Sequence, residues 1–154
     1  MSETDKPARA IRSAEELRMT VLQHHMDEMD QAQRAREKEK TELAAFAKDF
    51  LGNQVTEEEL AMIFRLVDRA VNDNKMEALV YSFPSSLCTD GGRAINNNLP
   101  NWPETLQGKA KELYDRFKAN AQPAGYRLKA QIINFPGGIP GDVGFFLSWA
   151  PAAV

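Results

Sequence analysis

The residues best placed to do chemistry lie in one run, Ser85-Ser86-Leu87-Cys88-Thr89-Asp90-Gly91-Gly92-Arg93, with Asn96 just beyond it. Small hydroxyl residues and paired glycines let successive backbone N–H groups point into one concavity, and a helix starting there would add its positive end. That is the composition of an anion cradle, with Arg93 as counter-charge and Cys88 as the thiol. A second run, Pro136-Gly137-Gly138-Ile139-Pro140-Gly141-Asp142, also combines glycine backbone with one carboxylate.

The same residues limit what that chemistry could be. A thiolate attacking phosphorus needs a depressed pKa and an uninterrupted set of positive donors. Here no histidine precedes Cys88, and Asp90 would put a negative charge inside the cradle. Cys88 is therefore read as a buried structural thiol. The glycine pair lacks the Gly-Lys-Ser/Thr ending of a nucleotide-binding loop, and a plain turn in which Gly91 and Gly92 relieve backbone strain is the simpler reading. His24 and His25 are the only histidines. On a helix His24 shares a face with Asp27 and Glu28, but no further ligand is identifiable, so neither a metal nor a cofactor is expected. No elbow motif surrounds Ser85 or Ser86, and Trp102 and Trp149 read as core or loop anchors.

A chain of 154 residues has room for one real core, and 43% hydrophobic with 27% charged residues is ordinary for a globular protein. The net charge of -3 argues against broad binding to nucleic acid or to acidic membranes, which needs a basic face. Cys88 is the single cysteine, so no intrachain disulfide can form and a reducing compartment suits the chain. With no signal-like N-terminus and no apolar run of membrane-spanning length, a cytoplasmic protein is expected.

Residues 1–12 are polar and are expected to be disordered. Ser13 is a plausible N-cap, with Glu15 and Glu16 in the first turn. From there to Leu51 neither proline nor glycine interrupts, and strong helix formers dominate. Leu17, Val21, Leu22, Met26 and Met29 form one apolar cluster; Leu43, Phe46, Ala47, Phe50 and Leu51 form another. A heptad register through Leu22, Met29, Arg36, Leu43 and Phe50 keeps one seam, which Arg36 and Glu39 break in the middle. The helix over residues 13–52 is read as a coiled-coil-like arm that self-associates or docks a partner protein, with the first cluster as contact face, because so little apolar surface needs packing from elsewhere.

Residues 53–154 read as a compact α+β domain. Thr56 with Glu59 forms a capping box, and Val55 with Leu60 a hydrophobic staple. Leu60, Ile63, Phe64, Val67, Ala70 and Val71 then recur on one face, so this helix and the first form a hairpin. Ala78 to Phe83 is a strand, a helix from Pro103 carries Leu106, Ala110, Leu113, Tyr114 and Phe117, Tyr126 to Ile132 alternates as a half-buried strand, and Phe145 to Trp149 is a last strand. The order β-α-β-β predicts a small three-stranded mixed sheet covered by helices, its first two strands parallel and side by side and the last returning antiparallel beside the second. Both glycine-rich loops would then leave one edge of the sheet, where ligands bind in open α/β sheets.

Two functions follow. The leading one is a small interaction or regulatory protein, homo-oligomeric or partner-docking through its long helix. The alternative is a domain that binds a small anionic ligand at Cys88, Asp90, Gly91, Gly92, Arg93, Asn96, Gly137, Gly138 and Asp142; no catalytic residue is assigned.

Overall fold

The computed structural model describes residues 10–151; most of the segment expected to be disordered, residues 1–9, lies outside them. Helix α1 runs unbroken from Ala14 to Gly52. Ser13 starts it as its sequence suggests, Oγ accepting from the Glu16 N–H at 3.1 Å. The described residues divide into two units between Ala45 and Phe46, a boundary that falls within α1.

In the second unit, α2 spans Glu57–Asn72 and opens with the expected reciprocal cap. The Glu59 N–H donates to Thr56 Oγ1, and the Thr56 N–H donates to Glu59 Oε1. Strand β1 (Glu77–Pro84), the one-turn helix α3 (Arg93–Asn96), helix α4 (Gly108–Arg116), strand β2 (Arg127–Ile132) and strand β3 (Asp142–Ser148) follow. The class is α+β, with the helices and strands in the order the sequence predicts.

Two expectations need correction. The sheet is antiparallel throughout rather than mixed, because β3 inserts between the other two strands in the order β1-β3-β2. Its run Val143-Gly144-Phe145 is buried, whereas β2 alternates exposed and half-buried residues and is suited to an edge. Strands β1 and β2 still run in the same direction, but they are not neighbours. The helix expected from Pro103 is also two pieces, a 3₁₀ turn over Trp102–Thr105 and then α4. Extended backbone at Leu106 and Gln107 makes the break, and Gly108 starts α4 at φ +56, where a Cβ would collide with the Phe50 carbonyl.

One face of the sheet carries Val80, Phe83, Val143 and Phe145 into the core. Phe50, from the last turns of α1, stacks on Phe83 with ring centroids 5.2 Å apart, and Phe83 meets Phe145 edge to face at 5.4 Å. The opposite face is wetter. Across it Lys129 on β2 reaches over the Phe146 ring to Glu77 on β1, Nζ to Oε1 2.9 Å.

Candidate functional site

The two glycine-rich loops do meet at one edge of the sheet. The Ser85 N–H donates to the Gly141 carbonyl at 2.8 Å and Ser85 Oγ donates to the Pro140 carbonyl at 3.1 Å. Their functional groups nevertheless turn to local partners. Asp90 accepts from the N–H of Gly92 at 3.0 Å and of Ala94 at 2.8 Å, so its own carboxylate fills the concavity that an anion would need. Gly91 and Gly92, at φ +69 and +87, hold the turn in its left-handed conformation; a Cβ on Gly92 would stand 2.9 Å from that of Ser85.

Cys88 is buried, and burial first of all, with the charge of Asp90 adding to it, pushes its thiol up to about 11 against a counteracting hydrogen bond from Thr105. Asp142 pairs with Asn134 across the β2–β3 connection: its N–H donates to Asn134 Oδ1 at 2.8 Å and its Oδ2 accepts from Asn134 Nδ2 at 3.0 Å. Arg93, Asn96, Gly137 and Gly138 are exposed at the surface. The loops thus come together as two interlocked turns, each supplying its own acceptors.

The other candidate face lies on α1. Leu17, Val21, Leu22, Met26 and Met29 are each at least 44% exposed, and Met19, absent from the expected cluster, is 60% exposed. At about 100° per residue on an unbroken helix, Met19, Leu22, Met26 and Met29 fall on one stripe within about 80°, whereas Val21 and Leu17 lie about 120° and 160° from its centre, on other faces of the helix. The stripe continues as Gln33, Arg36 and Lys40 before Leu43. It is therefore an apolar patch two heptads long, followed by a polar stretch.

Two further features stand in the second unit, neither of them among the residues expected to do chemistry. Lys109 is 3% exposed, and its Nζ donates to Asp49 Oδ2 at 2.7 Å and Glu59 Oε1 at 2.6 Å. Its desolvation, which would lower its pKa, is outweighed by these two carboxylates, which raise it. A raised pKa keeps it protonated, and an ammonium with no free electron pair is a clamp rather than a nucleophile. Tyr81 nearby is pushed up to about 12, by burial and then by the charge of Glu59, and stays a phenol.

The second feature is an apolar groove of about 360 Å³ between α2, the core face of the sheet and the end of α4. Phe64, Val67, Phe117, Tyr126 and Leu128 are among its walls. Directly after α4 the chain makes a π turn, Phe117–Ala121, which brings Asn120 and Ala121 to the rim. Such turns are rare and recur at functional sites.

Comparison with family models, curated proteins and solved structures finds no match for this chain. Among the described residues no helix is long and apolar enough to cross a membrane.

Proposed function

We propose that this protein is an interaction module that self-associates through the first half of α1, the stripe Met19, Leu22, Met26 and Met29 packing against the same stripe of a second copy. The observation that supports the reading is the exposure of four large apolar side chains, Met19, Leu22, Met26 and Met29, on one line of the helix. Lone helices gain most of their stability from packing such a stripe, and unbranched methionines adapt readily to a partner surface.

The continuation of the stripe chooses the orientation. In a parallel, in-register pair Arg36 would face Arg36 and Lys40 would face Lys40, like charges stacked at seam positions. In an antiparallel pair centred near residue 24, Met19 faces Met29 and Leu22 faces Met26, and all four apolar layers close on one another. The cations of each copy then lie past the contact.

Sedimentation equilibrium tests the proposal. A dimer is expected for the full chain, with conversion to a folded monomer by Leu22→Glu combined with Met26→Glu. A full-length chain that stays monomeric at every concentration overturns self-association.

A further inference from the structure

We infer that the groove between α2 and the end of α4 is a binding site for a monoanionic amphiphile, an alkyl chain of about ten carbons ending in a carboxylate. The groove is in the second unit and is independent of the self-association proposed above. Its volume of about 360 Å³ lies within the range of small-molecule sites, about 300–1,000 Å³. At roughly 30 Å³ for a group the size of one water, it holds about a dozen methylene-sized groups.

The lining decides the chemistry of that occupant. It is almost wholly apolar and aromatic, and Arg116 alone among the lining residues carries a charge. Phe64, at 67% exposure, stands beside the opening with no apolar cover of its own, and burying apolar area of this kind drives association.

Arg116 fixes the sign of the head group. Its Nε donates to Glu112 Oε2 at 2.9 Å, and Glu112 is itself held by the Val55 N–H, which donates to Oε1 at 2.8 Å. Among the described residues the terminal guanidinium nitrogens make no other hydrogen bond, so one edge of the fork can meet a carboxylate. Glu112 already offsets much of the arginine charge. A second negative charge on the ligand, as in a phosphate monoester, would meet that carboxylate instead of a cation. Asn120 and Tyr126, also among the lining residues, are neutral and bring no second cation.

Isothermal titration with decanoate, decanol and decyltrimethylammonium, all below their aggregation concentrations, tests the assignment on the full chain. Decanoate is expected to bind saturably with one site per chain, decanol more weakly, and the cation weakest. Arg116→Gln should weaken decanoate about tenfold or more and leave decanol unchanged, because only the carboxylate loses a charge-assisted hydrogen bond. Ala121→Trp, at the partly exposed rim, should abolish both by filling the groove; circular dichroism melts establish that each variant is folded.

Absence of saturable decanoate binding overturns the inference. So does binding that survives Ala121→Trp, or equal affinity for decanoate and the cationic amphiphile. Because the readout is binding per chain, it is unaffected by whether α1 pairs.

Discussion

Lys109 Nζ lies 2.6 Å from Glu59 Oε1, and the same carboxylate oxygen accepts the Thr56 N–H at the start of α2. One buried ammonium thereby ties the first turn of α4 to the cap of α2 and, through Asp49, to the end of α1. Removing the ammonium while keeping the volume leaves Glu59 partly buried without its cation. Lys109→Met is therefore expected to cost about 1–3 kcal/mol in urea unfolding at neutral pH, less than the roughly 3–5 kcal/mol for breaking a fully buried pair, because both carboxylates reach solvent.

The pH dependence of that clamp has a definite sign. Glu59 is desolvated, but Lys109 and the Thr56 hydrogen bonds outweigh this and lower its pKa; Asp49 is lowered by Asn53 and then by Lys109. Depressed carboxylates stabilise the fold above their unfolded pKa values, and that stabilisation is lost as pH falls through the folded ones. Lys109, raised, stabilises below its unfolded value and loses this as pH rises through its folded value. The clamp is complete from about pH 5 to about pH 10. Unfolding free energies measured from pH 7 down to pH 3 should fall more steeply for the natural chain than for Lys109→Met.

Gly108 should be the least replaceable of the left-handed glycines. At φ +56 an alanine is strained, and its Cβ would also enter the Phe50 carbonyl. Gly108→Ala is expected to cost at least about 2 kcal/mol, whereas Gly125→Ala, at φ +99 with open space around it, should cost only about 1 kcal/mol. Denaturant titrations of the two variants side by side separate backbone strain from collision.

These features differ in how far the sequence announces them. The cap of α2 is legible because Thr56, Glu59 and the following apolar stripe are neighbours in the chain. The two glycine-rich loops meet through a different pairing from the expected one: β1 ends beside the start of β3, Pro84 opposite Asp142, and not beside β2. The insertion of β3 is not legible, because the contest for the central place is decided by which strand buries both faces, a long-range property. Lys109 did leave a signal: it stands four residues before Leu113, on the buried side of α4. A cation there demands carboxylates, yet nothing local names Asp49 and Glu59 as the pair. The groove is assembled from three separated elements and has no local signature.

Asp90 should matter as a brace for its turn. Its carboxylate satisfies the N–H groups of Gly92 and Ala94. Asp90→Ala is expected to cost about 1–2 kcal/mol, the usual loss for a side chain capping backbone donors, and Asp90→Asn less. Thermal melts in the presence of inorganic phosphate should show no stabilisation of the natural chain, because the acceptor is already in place.

Cys88 offers a direct probe of the core because it is the chain's single thiol. Burial and a pKa pushed up to about 11 leave roughly one part in a thousand as thiolate at pH 8. Alkylation by iodoacetamide should be far slower in the folded chain than in guanidinium, where one thiol per chain should react. Rapid labelling of the folded protein would show that the turn around Cys88 opens readily.

The orientation of α1 pairing can be read from disulfides. An antiparallel pair centred near residue 24 places residue 19 of one copy beside residue 29 of the other. It separates the two copies of residue 19 by about ten residues of helix, about 15 Å. A disulfide needs Cα atoms within about 7 Å. Mixing Met19→Cys protein with Met29→Cys protein under mild oxidation should therefore give the mixed dimer, and Met19→Cys alone should give little. A parallel pair would reverse this, linking Met19→Cys chains to each other and leaving the mixture uncoupled, with Arg36 and Lys40 then stacked on their own copies at seam positions. The gel pattern thus tests whether those two cations set the direction in which the helices meet.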